Sequence, residues 1–160
     1  MVMADATTVS VMLAEPAATR ELGARLAAVC EPGTVILLRG PLGAGKTTLV
    51  DGFVKALGAQ AATSPTFVIA HSHEGGRHPV WHLDLYRMES ERQVAELDLS
   101  QYLSETAITL CEWPERAFNF WASDALDIEL TIEGVARRAF LKAGGPRSRS
   151  LLEALQRKRT

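Results

Sequence analysis

Apolar and polar positions follow two rhythms along the chain, one of short runs suited to strands and one spaced for helices. Val9 to Leu13 reads as a first strand. Pro16 to Cys30 reads as a helix, with Pro16 suited to the first turn and Leu22, Leu26 and Val29 on one face. Pro32-Gly33 turns the chain into Val35-Ile36-Leu37-Leu38, an apolar run fit for a strand buried on both faces. Leu49, Phe53, Val54 and Leu57 then repeat at helical spacing up to Gly58, a natural stop. Thr66 to His73 and Val80 to Tyr86 are strand-like around the turn Glu74-Gly75-Gly76-Arg77, so a hairpin is expected. Glu91 to Leu97 reads as a short helix, and Ile108 to Cys111 as another buried strand. Leu126 to Ile132 and Arg138 to Leu141 alternate across Glu133-Gly134-Val135, which predicts a second hairpin. From Pro146, Leu151, Leu152 and Leu155 mark a closing helix.

Between the buried strand and the following helix stands Gly-Pro-Leu-Gly-Ala-Gly-Lys-Thr, residues 40 to 47, a full match to the P-loop pattern. Gly40, Gly43 and Gly45 permit backbone angles that turn successive N–H groups inward around phosphate oxygens. The helix beginning at Lys46 points its positive end at the same anion. Lys46 has the reach for the β- and γ-phosphates, and the Thr47 hydroxyl is set to ligate Mg²⁺. Strand, loop and helix in that order predict a nucleoside triphosphate site. The whole pattern predicts a single-domain α/β P-loop NTPase fold with a mixed parallel and antiparallel central sheet flanked by helices. Residues 1–145 would form that domain and 146–160 a basic C-terminal helix or tail.

Composition adds limits. The chain has 160 residues, 47% of them apolar, enough for one proper core. No run is long enough to span a membrane and no basic-then-apolar leader opens the chain, so a cytoplasmic protein with no membrane partner is expected. Cys30 and Cys111 lie in apolar surroundings and read as reduced core thiols. The net charge of −2 conceals a split: residues 137–159 carry eight Lys/Arg and one acid, while the rest carries nine basic and eighteen acidic residues. That basic end suits either an acidic partner such as RNA or simply a solvated helix face.

A P-loop enzyme needs a further carboxylate at a strand end to meet the metal or its water shell. Two positions qualify: Asp84, after Val80-Trp81-His82-Leu83, and Glu112, after Ile108-Thr109-Leu110-Cys111. Ser64-Pro65-Thr66 follows the P-loop helix closely and offers two hydroxyls to a γ-phosphate, a metal or an attacking water. The histidine pairs His71/His73 and His78/His82 each share a face, but no cysteine or acid completes a tetrahedral zinc set beside them. Trp113 is the aromatic residue to watch, since it directly follows Glu112.

Four separated segments, Gly-Pro-Leu-Gly-Ala-Gly-Lys-Thr-Thr (40–48), Ser-Pro-Thr-Phe (64–67), His-Leu-Asp-Leu-Tyr-Arg (82–87) and Glu-Trp-Pro-Glu (112–115), together resemble the TsaE family. The resemblance spans roughly residues 9–141. TsaE proteins are bacterial ATPases of the tRNA threonylcarbamoyladenosine pathway. The resemblance implies ATP held by Pro41, Leu42, Gly43, Ala44, Gly45, Lys46, Thr47 and Thr48, with Thr47 and Glu112 on Mg²⁺. It implies catalytic parts for Lys46, Asp84 and Glu112, with Asp84 a second acid for hydrolysis or its coupling to shape change. Ser64 and Thr66 resemble a nucleotide-sensing loop, adenine would lie near Glu15 to Thr19, and Arg137 would approach the nucleotide. TsaD and TsaB are the implied partners, with tRNA reached through their complex. Two positions depart from the family: Pro41 stands where an acid is common, and Asp98 replaces a usual glycine. Beyond Ala143 no motif matches.

A small-molecule kinase and a nucleotide-gated adaptor remain as rival readings. The chain is too compact for the lid insertions of many kinases, and no Asn-Lys-x-Asp motif marks a GTPase.

Overall fold

The computed structural model describes residues 7–60, 69–117, 119–121 and 123–158. Among the described residues seven strands form one sheet in the order β1-β7-β6-β2-β5-β4-β3. At its centre lies β2 (Val35–Arg39), parallel to β5 (Ile108–Glu112) on one side and to β6 (Leu126–Glu133) on the other. All five residues of β5 are buried, as are Ile36, Leu37 and Leu38, which is why these segments read as unbroken apolar runs. Towards one edge, β4 (Val80–Asp84) is parallel to β5 and forms the expected hairpin with β3 (Ala70–His73). Towards the other, β7 (Ala136–Ala143) returns antiparallel from β6, and β1 (Thr8–Leu13) closes the edge antiparallel to β7. The mixed α/β sheet is therefore as expected, but the pairing of β1 with β7 has no signal in local periodicity.

Helices cover both faces. On one lie α1 (Pro16–Val29), α2 (Lys46–Ala56) and α4 (Pro146–Arg157), burying Leu22, Leu26, Leu49, Phe53 and Leu152 against β2, β5, β6 and β7. On the other, Leu37, Leu83, Leu85 and Cys111 meet α3 (Glu91–Glu96) and two 3₁₀ turns, Leu99–Tyr102 and Pro114–Ala117. The 3₁₀ turns escape sequence reading because single turns carry no apolar period. α1 and α2 cross backbone to backbone. A Cβ on Gly23 of α1 would lie 2.2 Å from the Leu49 carbonyl oxygen, and one on Gly52 of α2 would lie 2.2 Å from that of Arg20.

Boundaries differ from expectation in ways that have causes. α1 ends at Val29 because Cys30 turns extended while its N–H still bonds Leu26 O. β4 stops at Asp84, short of Tyr86, because the Asp84 carboxylate takes the Tyr86 N–H at 3.0 Å and bends the chain away. β7 is longer than Arg138–Leu141 because the whole of β6 pairs with it. The expected strand start at Thr66 lies outside the described residues. The last helix docks through Leu151, Leu152 and Leu155, leaving Arg149, Arg157 and Lys158 exposed. Cys30 and Cys111 are free and buried.

Candidate functional site

The loop from Gly40 to Gly45 leaves the central strand and feeds α2, so its position is set by the middle of the sheet. Gly45 caps α2 with φ 104°, and the Leu49 N–H returns to its carbonyl at 2.9 Å. Lys46 is buried, its ammonium donating to the Gly40 and Pro41 carbonyls of its own loop and lying 4.3 Å from the centroid of the Trp113 ring. Burial pulls its pKa below the usual lysine range, while Glu112, Glu115 and Asp84 act in the opposite direction. A cation thus waits inside the loop with neutral partners that an incoming phosphate can replace.

Across from it sits Glu112, 3% exposed at the end of β5. Thr47 Oγ1 donates to its two carboxylate oxygens at 3.0 and 3.3 Å, joining P-loop helix and neighbouring strand. Asp84 lies directly opposite Glu112 in the parallel register, so both candidate strand-end acids come together. A cleft of about 240 Å³ opens over them, lined by Lys46, Thr47, Asp84, Tyr86, Glu112 and Trp113 together with Leu42, Gly43, Gly45 and Thr48. A second hollow of about 100 Å³ adjoins it through Gly43, Gly45 and Thr48, and is lined by Leu13, Glu15, Pro16, Thr19, Val135 and Arg137. Arg137 reaches over from β7, its guanidinium donating to the Gly43 carbonyl at 3.1 and 3.2 Å.

Nearly every residue expected at the site is therefore in or beside one continuous cleft. Pro41 lies exposed on the loop and Ala44 is buried beneath it. Ser64 and Thr66 lie outside the described residues. The oxygens that Thr47 and Glu112 present to the cleft, with Asp84 beside them, are hard donors of the kind that fit Mg²⁺. Among the described residues no group of three or more His, Cys, Asp and Glu is arranged to hold a metal alone.

Two features were missed by sequence reading. His82 Nε2 lies 2.6 Å from Glu112 Oε2, although the i, i+4 spacing pairs it with His78. His78 faces Glu31 instead, while His71 and His73 of β3 pack on His82 with centroids 6.0 and 6.3 Å away. The signal was strand alternation, which puts His82 on the same face as Asp84 two residues on. Trp113 takes φ 59°, an uncommon angle for a bulky residue, and this sends its ring back between Lys46 and Arg116.

The fold and this cleft define a P-loop protein built on a mixed sheet. The family model for threonylcarbamoyl adenosine biosynthesis protein TsaE matches residues 13–140. The tRNA threonylcarbamoyladenosine biosynthesis protein TsaE of Bacillus subtilis (strain 168) is 35% identical over 144 residues, covering 89% of this chain and 90% of the relative. The protein of that name from Streptomyces coelicolor is 42% identical over 115 residues, 69% and 77% of the two chains. The crystal structure of Bacillus subtilis YdiB superimposes with a TM-score of 0.82 at 29% identity, covering 96% of this chain and 97% of that one. The chain belongs to the TsaE family, whose proteins take part in tRNA threonylcarbamoyladenosine biosynthesis.

Proposed function

We propose that this protein is a Mg²⁺-dependent ATPase, slow by itself, that supports threonylcarbamoylation of tRNA by cycling on a TsaD–TsaB complex. The observation that carries the reading is the contact between Glu112 and Thr47, which brings a buried carboxylate onto the hydroxyl of the P-loop helix. Lys46 and the loop N–H groups bind the triphosphate, and Thr47 with Glu112 holds Mg²⁺. The metal, when bound, neutralises charge on the β- and γ-oxygens. Asp84 faces the same space from β4 and orients water there. Thr19 and Arg137 border the smaller hollow, where the nucleoside end of ATP fits.

Slow turnover by the lone chain follows from the cations. Lys46 is deep in the loop, and Arg137 is spent on the Gly43 carbonyl. An arginine positioned on the transferring phosphoryl is worth orders of magnitude, so a partner that supplies or redirects one would govern the rate. Phosphate release is expected to be low for the isolated protein and to rise well above that rate when TsaD and TsaB are added. Equal rates with and without them would sink the partner-dependent cycle, and a phosphorylated small molecule in place of free phosphate would mean a kinase. In Glu112→Ala and Asp84→Ala variants, pathway function that survives the loss of hydrolysis would favour a nucleotide-gated adaptor.

A further inference from the structure

We propose that His82 is a positioning residue of the nucleotide site: its Nε2–H holds the Glu112 carboxylate in the orientation that faces Thr47. This rests on the Mg²⁺–ATP reading above and adds a residue to it.

Glu112 is among the few buried charged groups described, and a carboxylate so placed needs hydrogen-bond donors. Two side chains supply them. Thr47 Oγ1 is one, and in the P-loop design that hydroxyl is the atom that turns to a metal ion. His82 is the other and the shorter, at 2.6 Å, with both side chains nearly closed to solvent at 12% and 4% exposure. A carboxylate only accepts, so the proton of this contact is on Nε2. His82 therefore anchors Glu112 through Oε2 and leaves Oε1 to its contact with Thr47, the pair of oxygens that a cation would take up.

The ring is itself held. His71 lies opposite His82 in the β3–β4 register, and His73, one pair further along the same face, stacks at 29°. His73 is buried, with Nδ1 at 3.3 Å from the Gln60 carbonyl and Nε2 without a hydrogen-bond partner among the described residues, so it contributes a wall and no competing donor to Glu112. The β3–β4 hairpin thereby fixes the angle from which the imidazole reaches its carboxylate. Groups that orient a ligating carboxylate typically change metal affinity or activity by about 10- to 100-fold when removed.

The test compares His82→Phe, which keeps a ring but no donor, with His82→Gln, whose amide N–H falls near the place of Nε2. Binding of ADP and of a non-hydrolysable ATP analogue is measured calorimetrically at stepped Mg²⁺ concentrations, beside thermal unfolding of each variant. For His82→Phe we expect the Mg²⁺ concentration at half-maximal enhancement of nucleotide binding to rise about tenfold or more, with metal-free binding unchanged. His82→Gln should recover most of that shift. An unchanged Mg²⁺ dependence in His82→Phe, or equal impairment in both variants tracking their loss of stability, would overturn the positioning role. Because the readout is binding, a wild type that fails to hydrolyse ATP bears on the hydrolysis reading alone.

Discussion

Gly40 and Gly43 stand three residues apart in one loop and are glycine for different reasons. A Cβ on Gly43 would meet nothing within 4 Å, so only its φ of 82° excludes other residues. On Gly40, at φ 141°, a Cβ would lie 2.5 Å from the Leu130 carbonyl oxygen of the adjoining strand. Gly43→Ala is expected to cost about 1–2 kcal/mol of strain. Gly40→Ala should cost more, because rigid backbone must also move, and urea midpoints of the two variants check the order. The P-loop, Asp84 and Glu112 were legible because their chemistry is tied to a motif or a strand end. His82 was not, since its role depends on Glu112 of the neighbouring strand, 30 residues downstream. Asp98 is a case in between: its φ of 47° is left-handed, a conformation that glycine takes freely and that aspartate tolerates better than most residues.

α4 is held at its start by a residue from outside it. Asp124 accepts the Arg147 and Ser148 N–H groups at 2.8 and 3.0 Å and the Ser148 hydroxyl at 2.7 Å, acting as a cap from a loop in place of the uncapping Gly145. Burial alone would raise the Asp124 pKa, but the Ser148 and Arg147 hydrogen bonds and the Arg147 charge outweigh it and hold the carboxyl below its ordinary value of 3.8. A depressed folded value contributes stability that is present above the unfolded value and lost as pH falls through the folded one. Asp124→Asn should therefore be less stable than wild type by about 1 kcal/mol at pH 7, with the gap narrowing in unfolding curves taken below pH 4. A gap of constant size across that range would remove the charge from the account. Helix and strand identities were readable wherever an apolar period ran for several residues, as in α1, α2 and β5. Partnerships were not: β1 pairs with a strand that begins at Ala136, and nothing local to Val9–Leu13 encodes that.

The two cysteines sample the molecule as a whole. Cys30 belongs to the core between the sheet and the α1–α2–α4 layer, and Cys111 to the core on the opposite face. Burial pushes both thiols well above their ordinary pKa, so neither forms thiolate at neutral pH in the folded state. Native protein should resist alkylation at both, and under mild denaturant both should react at one common rate if the two cores open together. Faster labelling of Cys111 would mean that the α3 side opens independently.

The crossing of α1 over α2 bears on how such a molecule can move. Gly23 and Gly52 press each helix onto the other's backbone, with no side chain between them to change rotamer. Shear between packed helices slides one past the other, and at these two glycines the backbones already touch, so a slide would drive backbone against backbone. The two helices are thereby pinned to each other at two points, close to Thr19 of α1 and to Lys46 and Thr47 of α2. The link on the other side of the sheet is softer: the Trp113 ring lies between Lys46 and Arg116 of the short turn Pro114–Ala117, a contact of side chains that can change rotamer where the glycine crossing cannot.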